Sequence, residues 1–180
     1  ENLVKSSNTP FSILRIPWSF GPKMTEGTHV LKLLQLIRKS SFITNFDFPG
    51  KVSLISVNDL INAFKLVAID SKAENNFYFV SGYKPISLGN LFKEMAKVLN
   101  TPNKAGKIKI PFLIKNLAKS YRRYLPIELQ NLNSDVLCVN PKKIMKLGFK
   151  PQSNLRNSLL ELSRWENGVQ EDSGFFIVTG

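Results

Sequence analysis

The chain has 180 residues, 43% of them hydrophobic, which is enough to bury a sizeable core in one or two domains, and it carries a formal charge of +12. A single cysteine, Cys138, excludes an internal disulfide, and no apolar run reaches the ~20 residues of a membrane-spanning helix or forms a secretory leader. The lysines are scattered, without zinc-finger spacing or an aromatic-rich RNA-binding strand, so the charge reads as a lysine-rich solvated surface and not as a nucleic-acid interface; a reducing, cytoplasmic setting is expected.

Residues 1–7 read as the end of a helix, and Asn8-Thr9-Pro10 as the turn after it. Phe11, Ile13, Leu14 and Ile16 make a short strand over 11–16 that runs into Pro17-Trp18-Ser19-Phe20 and stops at Gly21-Pro22. In doubly wound α/β sheets ligands lie at the carboxyl ends of such strands, which singles out this segment. Thr28 is the candidate N-cap of a helix whose Val30, Leu33, Leu34 and Ile37 share one side. His29, the single histidine, stands at that helix start without Ser, Cys or a metal-ligand cluster nearby, and reads as a surface or structural residue.

An aromatic-rich connection over 42–48 leads to a strand over 52–57. Asn58 or Asp59 is the expected cap of the next helix, with Leu60, Ala63, Phe64, Val67 and Ala68 inward. A short strand begins at Phe77, and Ser87 caps a helix with Leu88, Leu91, Phe92, Met95, Ala96 and Leu99 on one stripe. A strand over 107–110 precedes a basic amphipathic helix over 112–124, where Lys115, Lys119, Arg122 and Arg123 share a face suited to solvent or to contact with an anionic membrane surface. A strand over 136–139 follows, with Cys138 as a buried structural thiol, and then a helix opened by Pro141 and stopped by Gly148. Ser153 or Asn154 opens the last helix, with Leu155, Leu159, Leu162 and Trp165 inward, before a polar stretch and a strand-like Phe175-Phe176-Ile177-Val178-Thr179-Gly180.

Five stretches stand in a telling order: Leu14-Arg15-Ile16-Pro17 to Gly21-Pro22, Val52 to Phe64 with Asp59, Asn76 to Leu91 with Ser87, Leu147-Gly148-Phe149-Lys150-Pro151, and Leu159 to Trp165. Together they resemble the C-terminal half of the extended short-chain dehydrogenase/reductases, the NAD-dependent epimerase/dehydratase family, over residues 1 to about 167. The resemblance implies an α/β fold: the truncated edge of a Rossmann-type parallel sheet (1–24 and 52–70) plus a small α/β substrate-binding lobe (25–51 and 71–167). Residues 168–180 would be a linker and the first strand of a second such domain. In this family a Tyr-x-x-x-Lys pair transfers the proton, the lysine lowering the tyrosine pKa, and a glycine-rich loop holds the dinucleotide pyrophosphate. Neither motif is present, so the resemblance places both upstream of Glu1 and gives this chain no catalytic residue and no activity of its own.

What the resemblance leaves here is the far wall of a site for NAD or NADP and a small hydroxyl- or carbonyl-bearing substrate. Ile16, Pro17 and Ser19 would lie along the nicotinamide, Trp18 and Phe20 would face the substrate, and Phe46 and Tyr83 would add apolar lining. Arg15 is expected in a structural ion pair, no metal is expected, and the parent protein is expected to be a homodimer. Arginines that hold a nucleotide diphosphate in relatives are replaced by Ser53 and by Leu132-Asn133-Ser134-Asp135, and an asparagine by Trp18. That pattern leans to the 3β-hydroxysteroid-dehydrogenase-like branch and more apolar substrates. Two other readings stand beside it: a nucleotide-sugar epimerase or dehydratase, and a non-catalytic basic module for RNA or a membrane surface.

Overall fold

The computed structural model describes residues 1–25, 27–101, 106, 108, 109 and 137–173. The basic helix expected over 112–124 and the strand expected over 175–180 lie outside the described residues. A short helix α1 (Asn2–Ser6) leads into β1 (Ser12–Arg15), and β2 (Trp18–Phe20) follows after two residues. Pro17 explains the interruption, since a proline has no N–H to give to a ladder. Before Pro17 the chain pairs with β6 (Asn76–Phe79), parallel, in the register Ser12↔Asn76 to Arg15↔Phe79. After it the chain pairs with β5 (Leu54–Ser56), also parallel, Trp18 opposite Leu54.

The strand expected over 52–57 is likewise divided. β4 (Lys51–Val52) runs antiparallel to β7 (Ile86–Ser87), Ser53 interrupts, β5 continues in the parallel sense, and Val57 already belongs to helix α3 (Val57–Ile69). The strands at 11–16 and 52–57 therefore sit in separate two-stranded ladders, and the strand at 76–79, placed with the lobe on sequence grounds, is bonded to β1. A fourth ladder joins β3 (Phe46–Asp47) to β8 (Ile108–Lys109), parallel.

Two cores form. The larger packs α2 (His29–Arg38), α4 (Leu88–Val98) and the last helix, here α6 (Leu155–Ser173), through Leu33, Leu34, Leu91, Phe92, Met95, Leu159 and Leu162, all with no measurable exposure. Each such side chain contributes about 1.5–3 kcal/mol by leaving water. The smaller core gathers Ile55, Ala63, Tyr78 and Val80 with Ile144 of α5 (Lys142–Lys146) and Phe149. Gly148, at φ +111°, lets the chain turn out of α5 where a side chain would be strained, as the sequence anticipates.

Ser87 caps α4, its hydroxyl accepting from the Asn90 N–H at 3.3 Å. The cap of α3 is a correction: Ser56 fills it, accepting from the Asp59 N–H at 3.1 Å, because the helix starts earlier than expected. Asp59 is thereby freed for another task. Its carboxylate, 1% exposed, accepts the N–H groups of Gln152 at 2.9 Å and Ser153 at 3.2 Å, fastening the start of α6 to α3.

Candidate functional site

At the carboxyl end of β1 the chain opens into a cleft of about 510 Å³. One stretch of its lining is Ile16, Pro17, Trp18 and Ser19; a second is Gly27, Thr28 and His29 at the start of α2; a third is Leu137 and Val139. Gly27, at φ +88°, makes the turn that brings α2 to the cleft, and Gly21 keeps the segment after β2 close to α3, since a Cβ there would stand 3.0 Å from the Val57 side chain. The Trp18 and His29 rings stack with centroids 4.9 Å apart and planes inclined by 30°. The third stretch is held from behind: the Ser53 N–H donates to the Leu137 carbonyl at 3.1 Å, and the Ser53 hydroxyl accepts from the Val139 N–H at 3.0 Å.

Four of the residues singled out by sequence, Ile16, Pro17, Trp18 and Ser19, thus come together on one wall. The other three do not join them. Phe20 is fully buried: it shares a side of β2 with Trp18 and lies deeper in the larger core, against which Trp18 packs only in part, and its ring lies 6.1 Å from that of Tyr83. Tyr83 is tied into the core by its phenol oxygen, 3.1 Å from the Ser158 hydroxyl; burial pushes that phenol above its usual pKa. Phe46 packs edge-on against Phe42 at 5.2 Å and beside Phe48 at 6.1 Å. Arg15 makes the expected ion pair, its guanidinium 2.7 and 3.0 Å from the Glu1 carboxylate oxygens, which holds the Glu1 carboxyl down at about 2.

Thr28, His29, Leu137 and Val139 border the cleft without having been singled out for it. His29 carried a signal, its place one residue past the N-cap, since that end of a helix carries partial positive charge and unpaired N–H groups. Thr28 is the N-cap by position, yet its hydroxyl makes no capping bond and is buried without a hydrogen-bond partner among the described residues. The cleft therefore offers apolar walls, an aromatic–imidazole stack, two hydroxyls and a helix N-terminus, with no lysine or arginine among the described residues that line it. Among the described residues no group of His, Cys, Asp and Glu could hold a metal ion, and no helix is long and apolar enough to cross a membrane.

No protein-family model and no curated protein matches the chain. Solved structures do. UDP-glucose 4-epimerase of Thermotoga maritima, with UDP-glucose, is similar at a TM-score of 0.66 and 15% identity over 94% of this chain and 50% of that one. WbmG of Bordetella bronchiseptica, in complex with NAD, is similar at 0.64 and 14% over 93% and 46%. The dTDP-glucose 4,6-dehydratase of Bacillus anthracis, in complex with NAD, is similar at 0.60 and 12% over 88% and 45%. At such identities the likeness establishes the fold, the α/β fold of these epimerases and dehydratases, and the chain spans about half the length of the structures it matches.

Proposed function

We propose that this chain is the substrate-side half of an NAD(P)-dependent oxidoreductase or epimerase of the extended short-chain type, acting on a small hydroxyl- or carbonyl-bearing substrate. The observation that carries this reading is the cleft at the carboxyl end of β1, where a parallel α/β sheet takes its ligands, in a chain folded like about half of enzymes solved with NAD. Ile16, Pro17 and Ser19 would border the nicotinamide and Trp18 the substrate; Thr28 and His29, which line the same cleft, would join the substrate side. NAD or NADP would be held mainly by a dinucleotide-binding half preceding Glu1, which also supplies the Tyr-x-x-x-Lys pair.

The open side of the β1–β6 ladder supports such a half. Leu14 and Tyr78 face the smaller core, whereas Ile13, Arg15, Phe77 and Phe79 share the other face. Among the described residues, α1 and Lys143 reach that face, through Glu1 on Arg15 and the Lys5 and Lys143 ammonium groups 5.9 and 4.8 Å from the Phe77 ring. Parallel sheets are normally covered on both faces.

For the substrate we favour a largely apolar molecule. Ser53, at the position where relatives carry a phosphate-binding arginine, is 1% exposed and spent on the Leu137–Val139 segment, and Trp18 occupies the place of a polar contact. A nucleotide-sugar is the second reading, favoured by the UDP-glucose and dTDP-glucose enzymes among the structural neighbours. Two experiments decide. The coding sequence immediately before Glu1 should encode Tyr-x-x-x-Lys, and its absence removes the enzymatic reading. Titration of the extended protein with UDP and UDP-sugars should give no saturable binding tighter than about 10 μM, roughly −7 kcal/mol; tighter binding selects the nucleotide-sugar reading.

A further inference from the structure

We propose that Ser53 is a positioning residue that fixes the Leu137–Val139 wall of the cleft and thereby limits what the cleft admits to a flat, largely apolar ring beside the Trp18–His29 stack; the ligand part of this rests on the cleft being the substrate site. Ser53 does not line the cleft and is 1% exposed. It occupies the break between β4 and β5, where the chain changes from antiparallel to parallel pairing. On one side, Val52 bridges Leu137 in the parallel sense, the Ser53 N–H donates to the Leu137 carbonyl, and the Ser53 hydroxyl accepts from the Val139 N–H at 3.0 Å. On the other side, the next residue, Leu54, stands opposite Trp18 in the β2–β5 ladder. Two walls of the cleft are therefore referred to one backbone within three consecutive residues, 52–54. A small hydroxyl is what this position requires: an apolar side chain leaves the Val139 N–H unpaired, and a long charged one has no exposed path.

The test uses the full chain with no substrate or cofactor, so it stands or fails separately from the enzymatic reading. The chain has two tryptophans, Trp18 and Trp165, and Trp165→Phe leaves Trp18 as a reporter inside the cleft. In that background Ser53→Ala should raise acrylamide quenching of Trp18 and speed hydrogen exchange over 137–140 about fivefold, the loss of one modest hydrogen bond. Ser53→Thr, which keeps the hydroxyl, should restore both readings. Thr44→Val serves as the control: Thr44 is 3% exposed and its hydroxyl donates to the Ser41 carbonyl at 2.7 Å, away from the cleft lining and from residues 52–54, so its loss should leave Trp18 quenching unchanged. Should Ser53→Ala fail to fold, Val139→Pro removes the same bond from the donor side and should raise quenching equally. Unchanged quenching with the bond removed from either side, or an equal rise with Thr44→Val, overturns the proposal.

Discussion

The two cores differ in how far they are finished. Around α2, α4 and α6 every large side chain of the interior has partners on several sides, helix α4 is capped, and the Arg38 guanidinium meets the buried Glu166 carboxylate at 2.9 Å. Around β1 and β6 only one face is packed; the other carries Phe77 at 40% exposure, with Leu3 at 88% and Ile16 at 42% beyond the ladder. The first region carries Trp18 and Leu137, two of the cleft's lining residues. The second is a two-stranded parallel ladder with one face thinly covered among the described residues, whereas parallel sheets are normally covered on both faces. The cleft lies just past the end of that ladder, at Ile16 and Pro17.

The sharpest way to break this contrast is to remove matter from each side. Phe92→Ala in the finished core should cost about 3–5 kcal/mol in chemical denaturation, the cost of an emptied aromatic site. Asp59→Ala comes next: it removes the buried carboxylate that accepts the part-buried N–H groups of Gln152 and Ser153 and should cost about 1–3 kcal/mol, with α6 losing exchange protection first. Phe77→Ala on the bare face should cost about 1 kcal/mol or less in this chain, but about 3 kcal/mol once an upstream half covers it. Equal costs in the two lengths would mean the face is finished as it stands.

Smaller effects probe the cleft and the rim. Thr28→Val removes a buried hydroxyl that has no partner among the described residues, so it should stabilise the chain by up to about 1 kcal/mol while weakening any ligand that uses the hydroxyl. The Glu1 carboxyl, held at about 2 by Arg15 against an ordinary 4.5, should titrate low in a carbon NMR pH series, and Arg15→Gln should return it towards the ordinary value. The sign follows from the depressed value: the pair's contribution is complete above pH 4.5 and fades as pH falls towards 2. Because α1 buries no residue, this should loosen α1 without moving the midpoint of global unfolding.

Sequence periodicity exposed much of the helical core and less of the rest. The α4 stripe of Leu88, Leu91, Phe92, Met95 and Ala96 is buried as its spacing demands, and Ser87 caps it. Spacing alone overstated α3, where Phe64 falls on the inward stripe yet is 49% exposed, because a helix on a two-stranded ladder meets too little sheet to cover its full apolar face. Strand breaks were legible only in part: Pro17 announces one, but Ser53 has no local signature and is decided by two long-range bonds to 137–139. For the same reason Leu137 and Val139 could not be placed at the cleft from sequence, whereas Ile16 to Ser19 could, from the strand end that precedes them. Phe20, Phe46 and Tyr83 lie in or against the larger core and outside the lining of the cleft, since an aromatic near a strand end serves a core as readily as a ligand.

The most direct test of the central claim is a calorimetric titration of NAD into two proteins, the chain 1–180 and the same chain extended upstream through a complete dinucleotide-binding half. Without a phosphate loop the first lacks the N–H cradle that anchors the pyrophosphate and should give no saturable heat, while the second should bind at micromolar affinity, about −8 kcal/mol. Micromolar binding by residues 1–180 alone, or none by the extended protein, would contradict the assignment of this chain to the substrate side of a divided site.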